Sequence, residues 1–197
     1  SGNDVPVLMS TCRAERVDGG YRLYGRKQFG SNGPAWRWLG AHAIDTDAPE
    51  GPTIVHAFVD RHSDAVDVIG TWDALGMRPT QSHDTVLDGV FVPDERIGCV
   101  VPAGEATHPF LVGLTMWPLA LIAAVYLGIA DRALEVAVSS AQRKQSVAIE
   151  RGAYAYNPFV QHQIAEMYLE LDAASATLER FVDDWVAGAD HGGAWVS

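Results

Sequence analysis

The feature that most constrains the fold is a long uncharged stretch. From Pro109 through Ala130 the chain carries no charged residue, and an apolar segment of about 20 residues is long enough to cross a bilayer. The apolar pattern runs on without a break into an amphipathic helix at Asp131, with no basic cluster to mark a membrane boundary. Because a helix that is apolar on all sides can also form the centre of a large or oligomeric core, we interpret it as a core helix. We expect no membrane partner.

A second helix is predicted near the end of the chain. Asn157 followed by Pro158 is typical of a helix start, with a capping side chain before proline at the first helical position. Apolar residues then recur at intervals of three and four as far as Trp185, and Gly188 ends the pattern. Two helices cannot cover each other's apolar faces completely. We therefore expect an incomplete helical bundle, covered by further helices or by partner chains in a homo-oligomer (a dimer or tetramer).

The first half of the chain consists of short segments that read as strands. Asp18–Gly20 predicts a hairpin turn, since glycine supplies the positive φ of a tight turn. Strands that are separated by turn signals, and not by helices, predict a small closed antiparallel barrel. The predicted fold class is therefore α+β, with a small antiparallel β-barrel domain over residues 1–106 and long helices over residues 107–197. The predicted strands span residues 6–17, 21–24, 36–43, 53–59, 66–69 and 85–91.

Composition and charge exclude several classes of function. The chain has 197 residues, of which 48% are hydrophobic and 20% charged, a balance typical of globular proteins. Its formal net charge of −11 would repel a phosphate backbone, so we expect no nucleic-acid partner. Cys12 and Cys99 lie far apart, so they are interpreted as reduced thiols of a cytoplasmic protein. No secretory signal is read at the start of the chain. The seven histidines form no metal-ligand motif, and no metal site is expected.

A glycine-rich run, Phe29–Gly33, carries the main functional signal. An aromatic residue lies two positions before a hydroxyl residue, and the flanking glycines would let a flat ligand approach the backbone closely. The alternative is a plain strand end followed by a glycine-rich turn, and the residues alone leave both readings open. The run does not open a helix, so a Rossmann dinucleotide site is not predicted.

Three blocks of this sequence resemble the acyl-CoA dehydrogenase family, in the right order and spacing. Gly25–Gly33 is similar to the family's run Gly-x-Lys-x-Trp-Ile-Thr-Asn-Gly. The second block covers residues 75–82, which resemble its Leu-Gly-hydrophobic-Arg loop, and residues 86–93, which resemble the strand that ends in Val-x-Val-Pro. The third block, Ser1–Asp4, looks like the Gly-Ser-Asp that closes the family's Thr-Glu-Pro signature.

The resemblance implies an FAD cofactor and assigns residues to it. Phe29 takes the place of the tryptophan that lies against the flavin ring, and Gly30 follows it. Ser31 takes the place of the threonine that bonds the flavin's reactive nitrogen. The family also has an arginine near the end of the central helix that holds the flavin pyrophosphate of a neighbouring subunit. Residue type favours Arg143 for this role, and spacing favours Lys144.

The resemblance also implies a substrate and a reaction. Asn3 and Arg78 correspond to positions near the substrate, although Arg78 could instead brace its own loop together with Thr80 and Ser82. The implied reaction is the α,β-dehydrogenation of an acyl-CoA thioester in fatty acid metabolism, with electrons passed on to an electron-transfer acceptor. On this reading the protein is a cytoplasmic flavoenzyme.

A catalytic residue cannot be assigned from this sequence. Some relatives carry a polar or acidic group early in the central helix, where this chain has Met116–Pro118, and none of these side chains can take a proton. In others the glutamate base falls beyond position 197, as does a segment that completes the flavin site, and a helical region precedes position 1. Two alternatives therefore stay open. One is a flavin-dependent monooxygenase of the same superfamily, which needs no such base, and the other is a non-catalytic flavin-binding or assembly subunit.

Overall fold

The structure is a computed structural model that describes residues 7–150 and 152–189. It contains two compact units, Ser1–Val112 and Gly113–Ser197, which are described separately below. The mixed α+β class predicted from the sequence is confirmed, whereas the division between residues 106 and 107 stays a prediction. The strands are β1 (Arg13–Val17), β2 (Gly20–Gly30), β3 (Trp38–Asp45), β4 (Thr53–Asp60), β5 (Val66–Ile69), β6 (His83–Pro93) and β7 (Ile97–Pro102), and the helices are α1 (Pro109–Arg143) and α2 (Pro158–Val186).

All seven strands form one sheet in the order β5-β6-β2-β1-β3-β4-β7. Neighbouring strands are antiparallel except β1 and β3, which run parallel and meet at Arg13 and Ile44. The predicted hairpin turn joins β1 to β2, and Gly19 has the positive φ (74°) that such a turn requires. The first strand begins later than predicted, because the Ser10 side chain bonds the Cys12 N–H and the His42 carbonyl and holds the preceding residues in a turn.

The sheet does not close into the predicted barrel. β5 pairs with β6 and β7 pairs with β4, so the sheet of described residues keeps two edges. It is nevertheless strongly curved, since Cα atoms of β4 and β6 come within 8 Å although three strands separate them in the sheet order. Curvature without closure follows from the short edge strand β5, which has four residues and no pairing with β7.

The core of the first unit lies inside this curve. Alternate residues in parts of β2 and β6 are buried there, as the period of a strand requires, namely Tyr21 and Leu23 in β2 and Val90 and Val92 in β6. A second, smaller cluster forms where Leu111, in the first turn of α1, packs on Ile54 and Val101. The main cluster contains Cys12, Ala14, Tyr21, Leu23, Ala41, Ala43, Val55, Ala57, Val59, Leu87, Val90 and Val92.

The second unit is helical. The predicted start of α2 is confirmed, because the Asn157 side chain accepts a hydrogen bond of 2.9 Å from the Phe159 N–H. The rings of Trp117 in α1 and Trp185 in α2 meet edge to face, with centroids 6.0 Å apart. By length and composition α1 could cross a membrane, a test that core helices also pass, and 11% of its most apolar window is buried. Within the described residues α1 is therefore largely uncovered, which differs from the predicted core helix.

Candidate functional site

Two segments of the first unit lie side by side at one end of β2 and β6. We call Phe29–Asn32 and Met77–Ser82 the loop pair. The Asn32 N–H donates a hydrogen bond of 2.6 Å to the Thr80 carbonyl. Gly30 pairs with His83 across the sheet, beyond an irregularity in the β2–β6 register. The curved sheet therefore brings together two segments that are far apart in the sequence.

Backbone strain is concentrated in the loop pair. Among the described residues, the non-glycine residues with positive φ are Phe29 (56°), Asn32 (61°), Met77 (54°) and Gln81 (42°), and all four lie in these two segments. A left-handed conformation costs roughly 1 kcal/mol or more for a residue with a side chain, and such residues cluster at functional sites. The strain therefore points to a function for this surface.

An aromatic ring is held at the surface of the loop pair. Phe29 is 55% exposed, and its ring meets Trp72 edge to face at a centroid distance of 6.1 Å. Trp72 is fixed in turn, because its Nε1 donates a 3.2 Å hydrogen bond to the Met77 carbonyl. The Met77 side chain is also exposed. This surface offers flat and apolar contacts to a ligand.

A chain of hydroxyl groups runs beside the aromatic ring. The Oγ atoms of Ser31 and Ser82 are 2.9 Å apart, and Ser82 Oγ is 2.7 Å from Thr80 Oγ1. Thr80 Oγ1 donates a 2.7 Å hydrogen bond to the Met77 carbonyl. We call these three side chains the hydroxyl relay. Ser82 is buried and Ser31 is exposed, so the relay leads from the interior to the surface.

The residues of the loop pair fit a flavin ring system. A flat heteroaromatic group needs an apolar face and a polar group at its edge, and the exposed Phe29 ring and Ser31 hydroxyl supply the two within three residues. Gly30 allows close pairing of β2 with β6, since a Cβ atom there would lie 3.1 Å from the His83 carbonyl oxygen. The small residue thus allows β2 and β6 to pair directly behind this surface.

The other predicted site residues are placed differently. Arg78 braces its own loop, as the alternative reading allowed, because its guanidinium bonds Asp73 Oδ1 at 3.1 Å and the Ala74 carbonyl at 2.9 Å. Arg143 is exposed in the last turn of α1, in the second unit, and Lys144 follows the end of that helix. Asn3 lies outside the described residues.

Two buried ionisable side chains, Lys27 of β2 and Asp84 of β6, lie near the ends of these strands at the loop pair. Lys27 is buried, its Nζ donates a 3.4 Å hydrogen bond to Ser10 Oγ, and desolvation lowers its pKa. Next to the strand end, Asp84 forms an ion pair with Arg26. In the part of the chain that the structure describes, no three His, Cys, Asp or Glu side chains come together to hold a metal ion.

The sequence analysis missed Trp72 and Met77. Trp72 lies in an irregular segment with no periodic pattern, and only the folded sheet brings it against Phe29. Met77 contributes mainly through its backbone carbonyl, which accepts bonds from Trp72 and Thr80. Since any residue has such a carbonyl, its role has no signal in the amino-acid sequence.

Comparisons with known proteins show that this chain is similar to members of a flavoenzyme superfamily. Residues 120–195 match the family described as "Acyl-CoA dehydrogenase, C-terminal domain". Isovaleryl-CoA dehydrogenase from Oryza sativa subsp. japonica is 30% identical over 88% of this chain and 41% of its own length. The pigment production hydroxylase of Rhodococcus erythropolis is 38% identical over 41% of this chain and 21% of its own length. The chain thus spans about two fifths of the dehydrogenase that it resembles.

Solved structures share the fold. A probable acyl CoA dehydrogenase from Mycobacterium abscessus matches 96% of this chain and 48% of its own, with a TM-score of 0.73 and 23% identity. FMN-bound TdsC from Paenibacillus sp. A11-2, a dibenzothiophene monooxygenase, matches 91% of this chain and 47% of its own, with a TM-score of 0.71 and 27% identity.

The comparisons confirm the resemblance to the acyl-CoA dehydrogenase family that the sequence blocks predicted, and the chain corresponds to a part of the relatives' length. This superfamily includes both dehydrogenases and monooxygenases. The predicted flavin cofactor is confirmed at the level of the family, since solved relatives hold FMN or reduced FAD.

Proposed function

We propose that this chain forms the flavin-binding face of an oxidoreductase, with the loop pair as the place where the flavin ring lies. The observation that carries the proposal is the exposed Phe29 ring, held in a strained backbone conformation beside the Ser31 hydroxyl. A surface aromatic in such a conformation costs folding free energy. Ligand binding would explain why that cost is retained.

Each predicted site residue has a role in this proposal. Phe29 packs on the flavin ring, and Gly30 and Ser31 bond its edge and adjust its electronic properties. Arg143 binds the flavin pyrophosphate of a neighbouring subunit. Asn3 and Arg78 contact the substrate, and for Arg78 this requires the guanidinium to keep or exchange its bond to Asp73. A bound FAD would supply the two-electron redox chemistry.

We propose the α,β-dehydrogenation of an acyl-CoA thioester as the first candidate reaction. Four curated relatives that span 88–90% of this chain carry dehydrogenase names. In this assignment residues 1–106 form the flavin-binding β domain and residues 107–197 form part of the helical domain. The substrate would be an acyl-CoA and the electrons would pass to an electron-transfer acceptor.

A flavin-dependent monooxygenase is the second candidate. The segment Met116–Pro118 lies in α1 and offers no group that takes a proton. Relatives named as a hydroxylase and a monooxygenase have identities of 38% and 27% to this chain, each over the share given above. The two candidates differ in which redox state of the flavin the site must hold at the start of the reaction.

We also propose that the protein is a cytoplasmic homo-oligomer, a dimer or tetramer. α1 and α2 expose many large apolar side chains, and contiguous apolar surface of this kind is typical of an interface. The exposed residues include Leu114, Trp117, Leu119, Leu121, Ile122, Val125, Tyr126, Ile129, Tyr168 and Leu169.

Flavin affinity of the variant Phe29→Ala tests the proposal. We expect the full-length protein with this change to bind FAD about tenfold or more weakly, since an aromatic packing partner contributes about 1 kcal/mol beyond its buried area. The dissociation constant is measured by quenching of FAD fluorescence. Because the ring is largely exposed, the melting temperature should change little.

Phe91→Ala is the matched control. Phe91 is an aromatic residue of β6 with similar exposure, 46%, and it lies outside the loop pair. Its removal should leave FAD affinity unchanged. Equal affinity of the wild type and Phe29→Ala would refute the proposed site, and so would an equal loss in both variants.

A further inference from the structure

The hydroxyl relay has a fixed direction. A carbonyl oxygen can only accept hydrogen bonds, so the Thr80 hydroxyl proton points to the Met77 carbonyl at 2.7 Å. The same carbonyl accepts longer bonds from the Thr80 N–H (3.1 Å) and from Trp72 Nε1 (3.2 Å), so it is the acceptor end of the network.

The direction propagates to the surface. Because the Thr80 hydroxyl already donates its proton to the Met77 carbonyl, Thr80 Oγ1 can only accept a hydrogen bond from Ser82 Oγ, 2.7 Å away. Ser82 thus donates its proton to Thr80, and Ser82 Oγ accepts a hydrogen bond from Ser31 Oγ at 2.9 Å. The Ser31 proton therefore points inward. The exposed Ser31 oxygen is left with lone pairs for a ligand.

We propose that Ser31 acts as a hydrogen-bond acceptor towards the ligand, and that the site consequently prefers reduced flavin over oxidised flavin. The inference rests on the proposed position of the flavin ring. The reactive ring nitrogen N5 is an acceptor in oxidised flavin, whereas in reduced flavin it carries a hydrogen and donates. An acceptor hydroxyl matches the reduced state. Turning the Ser31 proton outward to suit the oxidised state would leave two hydroxyl protons for the three hydrogen bonds of the relay, so one of these bonds would be lost.

Thr80 and Ser82 are accordingly positioning residues, which act on the ligand through Ser31. The preference also distinguishes the two candidate reactions. A dehydrogenase takes up its substrate with the flavin oxidised, whereas a monooxygenase brings reduced flavin to oxygen. A site that favours the reduced state supports the monooxygenase.

Two variants of the full-length protein test the inference, Thr80→Val and Ser82→Ala. The first removes the acceptor of Ser82 and the second removes the acceptor of Ser31, so in both Ser31 can turn its proton outward. The dissociation constants of oxidised FAD and of dithionite-reduced FAD are measured without oxygen, and their ratio is compared with that of the wild type. We expect the preference for reduced FAD to fall about tenfold in each variant, since a tenfold change is about 1.4 kcal/mol, which is within the range that one hydrogen bond contributes.

A second readout follows from the same change. Weaker relative binding of the reduced state lowers the midpoint potential of the bound flavin, and a tenfold change corresponds to about 30 mV for a two-electron couple. Thr85→Val is the matched control, because Thr85 lies on β6 and its Oγ1 has no hydrogen-bond partner among the described residues. It should leave the ratio and the potential unchanged.

The possible failures can be told apart. If the wild type binds FAD in neither state, the proposed function fails and the inference falls with it. If FAD binds but the ratio stays at the wild-type value in both relay variants, only the inference is wrong. An equal change in Thr85→Val would also overturn it. If one relay variant does not fold, judged by its circular dichroism, the other decides.

Discussion

Acidification from pH 7 to pH 4 is expected to reduce the free energy of unfolding of the first unit by on the order of 3 kcal/mol or more. His42 and His56 pair across β3 and β4 with stacked rings, and both are almost fully buried. Burial, followed by the nearby charge of Lys27, lowers the pKa of His42 to about 3 and that of His56 to about 4.

The free energy of unfolding falls on acidification because the unfolded chain binds more protons than the folded chain. Below about pH 6.5 the unfolded chain protonates both histidines, whereas the folded chain protonates neither until the pH reaches about 4 for His56 and about 3 for His42. The contribution of the two neutral histidines to the free energy of unfolding is therefore complete above pH 6.5. It is lost as the pH falls from 6.5 to about 4 for His56 and to about 3 for His42. Such a loss is large beside a typical total stability of about 5–15 kcal/mol.

Urea unfolding at several pH values checks this prediction. His56→Phe removes one titrating group at little cost in hydrogen bonding, since His56 Nε2 has no hydrogen-bond partner among the described residues. The decline in stability between pH 6.5 and 4 should become much shallower in this variant. His62→Gln, at an exposed histidine, is the control and should keep the wild-type slope. Identical slopes in all three proteins would contradict the account.

Replacing Gly20 by alanine is expected to cost about 3 kcal/mol of stability. Gly20 opens β2 opposite Pro93, and a Cβ atom there would lie 2.2 Å from the Val92 carbonyl oxygen and 2.9 Å from the Pro93 Cα. These neighbours are backbone atoms of β6 and cannot rotate away. The strands would have to separate at the point where the hairpin begins.

Gly40→Ala provides the comparison for Gly20→Ala. Gly40 also lies within a strand, β3, but no described atom comes within 4 Å of the place of its Cβ. Alanine there should leave stability within about 1 kcal/mol of the wild type, with a slight gain from the stiffer unfolded chain. Chemical denaturation of both variants gives the difference. Similar stabilities would mean that β2 and β6 are less closely packed than the structure shows.

Much of the fold could be predicted from local sequence signals. The β1–β2 turn at Gly19 and the capped start of α2 at Asn157 were predictable because turns and caps depend on residues that are adjacent in the chain. The strand β7 was missed because Ile97–Pro102 has a proline at its end and little alternation. The failure of the barrel to close was not predictable, since closure depends on whether two distant edge strands meet.

The candidate site was only partly predictable. Phe29 and Ser31 could be identified because a sequence run resembles one in the family. The strain at Phe29 and the edge contact from Trp72 arise only when β2 and β6 bring the loop pair together. The direction of the relay depends on a backbone carbonyl, that of Met77, which leaves no trace in the sequence.

Hydrogen–deuterium exchange of the full-length protein with and without FAD tests the central claim most directly, because it reports where the ligand touches the backbone. We expect FAD to slow exchange at residues 29–33 and 77–82, and to leave the exposed loop at residues 46–51 unchanged. Protection confined to other parts of the chain, with the loop pair exchanging as fast as without FAD, would contradict the account.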